Sequence, residues 1–282
     1  MKTLKHLIEQ QSQNNNSTAN ETTPLDLIAL TDIVDLAVWA GELLLENGSE
    51  SRRVEETIRI LGIGLGCDWG NVLISPHAIV ATHTSGGQVR TTIRQLKKYV
   101  GEVNMTLIEE ISHLTHRVEE GKYDRFRVRQ ELNRIAALPG QYKRWTTVLA
   151  VGMAGSAFSQ LFGGDWPVFL VTFLSAAVAV VVRQELTKLA YNYYLVIMTS
   201  AFVAGGLVSL INSVHDIDRP DVALVSSVLF LVPGVPFINS IKDMIKGYPL
   251  VGLSRGVTAV LTIFAIALGL LLAMQLVGRN LL

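Results

Sequence analysis

The amino-acid sequence predicts an α+β domain followed by an all-α membrane domain of five transmembrane helices, and three observations carry that prediction. The first is the distribution of charge. Of 24 Lys+Arg and 24 Asp+Glu in 282 residues, positions 1–141 hold 15 and 18, which leaves 9 and 6 for the second half. The zero net charge therefore hides a water-compatible half and a half too apolar to face water. The second is a change of period: apolar residues recur at three- and four-residue steps near the start, then alternate between about 69 and 95. Those are the signatures of helix and strand. The third is a set of five apolar runs, about 146–162, 166–182, 190–211, 221–238 and 256–278, nearly free of ionisable residues.

The elements follow in order. Residues 1–23 are polar, rich in Asn, Gln, Ser and Thr, and without the apolar core of a secretory signal; they read as a disordered tail. From Pro24, Leu27, Leu30, Ile33, Val34, Ala37, Val38, Gly41, Leu44 and Leu45 form one helical stripe, ended by Asn47-Gly48, a pair that tolerates the left-handed region. Ser49 or Ser51 is expected to cap a second helix with Val54, Ile58, Leu61 and Leu65 on its buried face. WGNVLISPHAIVATHT (69–84) is rich in β-branched residues, and Pro76 divides it. Ser85-Gly86-Gly87 reads as a hairpin turn and QVRTTIRQ (88–95) as the returning strand. Helices over about 104–121 and 123–138, separated by Gly121, complete an αα-βββ-αα domain over 24–141 that ends near Pro139-Gly140.

The membrane domain is then 142–282. Its first two runs have 17 residues each, the low end of what crosses a hydrocarbon core of ~30 Å. Loop charges orient it. Lys143, Arg144, Arg183, Lys188, Lys242, Lys246 and Arg255 fall on one side, and Arg219 and Arg279 on the other. Seven positive charges against two place the first domain in the cytoplasm and the C-terminus outside.

Composition excludes several chemistries. Cys67 is the single cysteine, so neither an internal disulfide nor a cysteine-based zinc site is possible. No Lys/Arg run marks a nucleic-acid binder. Glu110-x-x-His113 with His116 is too sparse for a metal site, as are His77 and His83 without a neighbouring Cys or Asp cluster. Nucleophile elbows and phosphate loops are lacking. The sequence thus implies no cofactor, no metal and no catalytic residue.

The strongest local signal is LVPGVPFIN (231–239), followed by SIKDMIKG. Pro233, Gly234 and Pro236 lie within four residues, which interrupts a helix and frees up to two carbonyls, those of Leu229 and Val232. Interrupted helices build substrate sites in transporters; the plainer alternative is a proline kink. Asn239 and Asp243 stand four residues apart, on one face beyond the break. An Asp beside a membrane cavity can carry a coupling proton, or simply pair with Lys242 or Lys246. Arg183, at the end of the second run, and Arg255, opening the last, are either substrate counter-charges or snorkelling ends. Small residues at four-residue spacing, Gly152/Ser156, Gly155/Ser159 and Gly205/Ser209, read as helix-packing faces within this chain or toward a partner.

Three stretches carry a family resemblance: LLLENGSESRRVEE (43–56), ISPHAIVATHTSGGQVRT (74–91), and LVPGVPFINSIKDMIKG (231–247) with Leu253-Ser-Arg-Gly256. With them the chain resembles the threonine/serine exporter family, and within it the split form associated with succinate export, over residues from about 30 to 278. The resemblance implies an inner-membrane exporter of small carboxylate metabolites, with a cytoplasmic N-terminal domain and five spans. It also implies a second small multi-span membrane subunit, because single-chain members continue past the fifth span and this sequence stops at Leu282; a homo-oligomer is the alternative. The expected substrate path is Pro233, Gly234, Pro236, Asn239, Asp243, Arg183 and Arg255. The competing function is a membrane-anchored, hydrolase-like enzyme with its chemistry in the first domain.

Overall fold

A computed structural model describes residues 26–96, 103–138 and 142–277. The expected tail over 1–23 and the boundary at Pro139-Gly140 lie outside the described residues. The chain divides into two compact units, Met1–Leu138 and Pro139–Leu282.

In the first unit, α1 (Leu27–Glu46) and α2 (Ser51–Gly64) precede β1 (Trp69–Ile74), β2 (Ala78–Ser85) and β3 (Gln88–Gln95), and α3 (Met105–Glu119) and α4 (Arg125–Ala136) follow. The strands form one antiparallel sheet in the order β1-β2-β3. Helix α1 ends where Asn47-Gly48 was expected to end it, with Gly48 at φ 91°. The β2–β3 hairpin turns on Gly86 and Gly87 at φ 54° and 83°, the positive values that a two-residue turn of type I′ needs. Asn104 and Asp124 cap α3 and α4, accepting from the amides of Leu107 and Arg127. The cap of α2 differs from expectation: Glu50 takes that position, and its side chain makes no capping hydrogen bond. The helix starts one residue later than a Ser49 cap requires, and Ser51 is already its first residue.

Strand β2 shows why the sheet is half-buried. Ile79, Ala81, His83 and Ser85 are buried while the residues between them are not, so one face meets α1 and α2. Leu30, Ile33, Val34, Ala37 and Val38 from α1 and Val54, Ile58 and Leu61 from α2 are within 1% of full burial. Leu65 falls just past the end of α2 and is only half-buried.

The second unit is all helical: α5 (Arg144–Leu161), α6 (Trp166–Lys188), α7 (Tyr193–Val214), α8 (Pro220–Val228) with a 3-10 turn at Leu229–Leu231, α9 (Gly234–Ile245) and α10 (Pro249–Leu276). Three of these, α6, α7 and α10, are long and apolar enough to cross a membrane, and a fourth crossing results if α8 and α9, bent by 61° at their junction, count as one. The expectation of five is therefore met only in part. Helix α5 is 18 residues long but carries Arg144, Thr146, Thr147, Ser156, Ser159 and Gln160, which dilute its apolarity.

Inside and outside are inverted relative to a water-soluble bundle. Large apolar side chains point outward, among them Leu149, Leu170, Leu174, Leu195, Leu261 and Phe264. The interior is rich in small residues, among them Ala179, Ala201, Ala204, Ser156, Ser200 and Thr262, set among Val, Ile and Leu such as Val168, Val208 and Ile197. Among hydrocarbon tails burial of apolar surface drives nothing, so close packing of small residues takes over. The expected small-residue faces serve this purpose within the chain. Added Cβ atoms would press Gly152 on Phe173 (3.0 Å), Gly155 on the Ser226 carbonyl (3.1 Å) and Gly205 on Leu270 (2.9 Å).

Candidate functional site

The site begins at the break between α8 and α9. Val232 donates its amide to the Leu229 carbonyl at 3.1 Å, and Gly234 donates to the Val232 carbonyl at 2.9 Å. With Pro233 at φ −80° and ψ 61°, the second bond closes an inverse γ-turn. This corrects the expectation that both carbonyls lose their partners: the turn is tight enough to satisfy them locally. Phe237 then donates to Pro233 and α9 is under way. Of its first three residues, Gly234 has spent its amide and Pro236 has none, so Val235 is the one further donor. An anion site at a helix N-terminus uses several amides, and this terminus has been stripped of most of them.

Charge is supplied elsewhere. Asp243, fully buried near the end of α9, faces Arg255 of α10, which is 8% exposed, with Arg255 Nη1 3.0 Å from Asp243 Oδ2. Asn239 and Ser240 are buried on the same helix, and Ser240 Oγ donates to the Gly252 carbonyl at 2.6 Å. Two glycines allow this closeness. A Cβ on Gly252 would lie 2.7 Å from the Ser240 carbonyl, and one on Gly256 would lie 2.8 Å from Ser240 Oγ. The reversal between the helices uses Gly247 at φ 92°, with the Tyr248 amide donating to the Asp243 carbonyl at 2.8 Å, the long bond of a Schellman cap.

The structure thus brings Asp243 and Arg255 together at the far end of α9 from Pro233 and Gly234, with Asn239 between, one turn past Pro236 and one turn before Asp243. Nine residues from Gly234 to Asp243 amount to about 14 Å along α9. Arg255 does not open the last span as expected but stands in the second turn of α10, which begins at Pro249. The expected partners of Asp243, Lys242 and Lys246, are exposed. Arg183 is half-buried in the last turns of α6, a helix packed on α5, α7 and α8. At that same end of α6, Glu185 pairs with Arg144 and Lys188.

A second set of polar groups was not anticipated as a site. Thr172, Ser175, Ser209 and Ser226 are buried, and their hydroxyls find no hydrogen-bond partner among the described residues. Thr172 and Ser226 border the same glycine, Gly155, at the meeting of α5, α6 and α8. Their sequence signal was a pair of hydroxyls three residues apart, Thr172 and Ser175, on an otherwise apolar helix.

In the first unit the residues that hinted at metal chemistry are otherwise engaged. Glu110 pairs with Arg134, His113 with Glu109 and His116 with Glu119. Cys67 is 4% exposed, and burial, then the charge of Asp68, pushes its thiol up to about 12, which suppresses the nucleophilic thiolate.

A bundle of apolar helices with buried hydroxyls, one broken helix and a buried ion pair has the make-up of a membrane transporter. Residues 35–277 match the family described as "Putative threonine/serine exporter", and the chain belongs to the threonine/serine exporter family. It is 34% identical to the "Probable succinate transporter subunit YjjP" of Klebsiella aerogenes over 247 residues, 87% of this chain and 94% of that one. It is 32% identical to the protein of the same description from Escherichia coli, over 87% and 95% of the two chains. A "Threonine/serine exporter" of Corynebacterium glutamicum is 24% identical over 90% of this chain but 54% of its own length. No solved structure matches the chain.

Proposed function

We propose that this protein is one subunit of an inner-membrane exporter of small carboxylate metabolites, succinate or threonine and serine, working with a second small multi-span subunit. The observation that carries the reading is the buried Asp243–Arg255 pair. Two charges removed from water cost several kcal/mol each, by about the effective penalty for buried ions, and in a membrane helix such groups mark pathways. Arg255 is the counter-charge for the substrate carboxylate, and Asp243 holds it when substrate is absent. Asn239 and the hydroxyls of Thr172, Ser175 and Ser226 give the path a polar lining. The break at Pro233, Gly234 and Pro236 provides the bend, and Arg183 is a second counter-charge nearer one mouth. Helix α5 makes a fifth crossing beside α6. The relatives named as transporter subunits support the two-subunit assembly.

Transport into vesicles reconstituted with this chain and its partner subunit, comparing succinate with threonine and serine, tests the reading. A Cβ on Gly234 meets nothing within 4 Å and its φ is not left-handed. Gly234→Ala should therefore transport normally, and Gly234→Leu should insert in the membrane yet reduce transport at least tenfold by filling that space. Equal transport by both variants would make the break only a kink. Asp243→Asn should alter export while the protein stays in the membrane, and normal export would remove Asp243 from the path.

A further inference from the structure

The first unit holds a cavity of about 450 Å³ whose lining includes Asp35, Trp39, Thr92, Arg94, Arg129 and Asn133. Three elements converge there. Asp32, Asp35, Trp39 and Glu42 follow one another at three- and four-residue steps along one face of α1. Thr92 and Arg94 alternate on β3, opposite Ala81 and Ile79 of the buried sheet face, and Arg129 and Asn133 stand four apart on α4. The volume lies within the usual range for small-ligand sites, about 300–1,000 Å³.

The polar groups are held in place. Thr92 Oγ1 donates to Asp35 Oδ1 at 3.0 Å. Arg94 lies over the Trp39 ring at 5.8 Å, forms an ion pair with Glu42 (Nε to Oε2, 2.6 Å) and donates through Nη1 to the Asp35 carbonyl at 3.4 Å. Those bonds use two of the five N–H donors of its guanidinium. Arg129 pairs with Asp32 and remains half-exposed. Side chains of both signs therefore line one small cavity.

The charge balance selects the ligand. Asp35 and the guanidiniums of Arg94 and Arg129 give the lining itself both signs, while Asp32 and Glu42 pair with those guanidiniums from outside it. A dicarboxylate would set one of its charges against Asp35, whereas a simple cation would leave the guanidinium donors unused. A molecule with one ammonium and one carboxylate satisfies both signs: its ammonium against Asp35, its carboxylate against the donors of Arg129 and Arg94, its carbon skeleton against Trp39. We propose that this cavity binds a small zwitterion of the α-amino-acid class, at a site separate from the substrate path of the second unit and independent of how that path works.

Calorimetric titration of the full-length protein in detergent with L-threonine and with succinate tests this. L-threonine should bind. Asp35→Asn, which keeps the acceptor for Thr92, and Arg129→Gln, on a half-exposed side chain, should each weaken it at least about tenfold with unchanged thermal melting. Asp243→Asn should leave this binding as it was. In a variant that retains Trp39 and replaces Trp69, Trp145 and Trp166 by Phe, L-threonine should shift the emission. The proposal is overturned if Trp39 emission does not respond, if Asp35→Asn and Arg129→Gln bind L-threonine like the parent, if binding disappears in Asp243→Asn, or if succinate binds as well as L-threonine and Asp35→Asn tightens it.

Discussion

Arg255 shows how much one side chain decides. Removing either member of a buried ion pair strands the other, and such losses run to about 3–5 kcal/mol. Arg255→Ala should accordingly lower the thermal stability of the detergent-solubilised protein sharply, because Asp243 has no exposure to fall back on. The double change Asp243→Asn with Arg255→Gln should recover most of that stability by leaving no bare charge, yet should not recover export. Recovery of both would reduce the pair to a packing device. His83 is the corresponding residue of the first unit. Its ring is fully buried between Gly62 and Gly70, where added Cβ atoms would come within 2.1 and 2.5 Å of Nε2. Burial lowers its pKa, and a backbone interaction with Ile58 opposes this only in part. The unfolded chain therefore binds this proton more readily than the folded one. The contribution is fully present above the unfolded value of about 6.5 and declines as the pH falls toward the folded value. Melting followed between pH 7.5 and 5.5 should show a smaller drop for His83→Asn than for the parent. Equal slopes would show that other groups carry the acid sensitivity.

At the scale of elements, α10 is the organising helix of the second unit, packed extensively on α7 and α9. Its 28 residues span about 42 Å at ~1.5 Å each, longer than a hydrocarbon core of ~30 Å by roughly two turns. Its approach to α7 depends on Gly269, where a Cβ would stand 2.3 Å from the Met198 carbonyl and 2.9 Å from the Ala201 Cβ. A backbone oxygen cannot move aside as a flexible side chain does. Gly269→Ala should separate the two helices and cost about 1–3 kcal/mol, the usual penalty of overpacking, seen as a lower melting temperature in detergent. An unchanged melting temperature would show that α7 and α10 can slide apart freely.

Sidedness and assembly are properties of the whole molecule. The seven-to-two loop charges predict that a reporter active only outside the membrane works when fused after Leu282 and is silent when fused after Gly140. The opposite pattern would move the first unit out of the cytoplasm. The two-subunit reading predicts that a second small membrane protein co-purifies after mild detergent extraction and that the chain reconstituted alone transports nothing. Robust transport by the single chain would favour a homo-oligomer. The small-residue faces bear on this choice: Gly152, Gly155 and Gly205 are already covered by Phe173, Ser226 and Leu270 of the same chain. A partner must therefore use other surfaces.

The sequence by itself determined what depends on neighbours along the chain. Period and punctuation placed α1, the three strands, their Gly86-Gly87 turn and the break at Pro233, because each is a local consequence of side-chain alternation, positive φ or a missing N–H. The family, too, was legible in contiguous stretches such as LVPGVPFINSIKDMIKG. What depends on meeting across space was decided only by the tertiary structure. Asp243 meets Arg255, twelve residues on, because Gly247 reverses the chain and Gly252 lets α10 lie against Ser240. The polar cavity of the first unit needed α1, β3 and α4 folded together before Asp35, Arg94 and Arg129 became neighbours. The physical reason is common to both. Hydrogen bonds and ion pairs act over a few ångströms, and which groups come that close is set by helix packing and chain reversal, not by distance along the sequence.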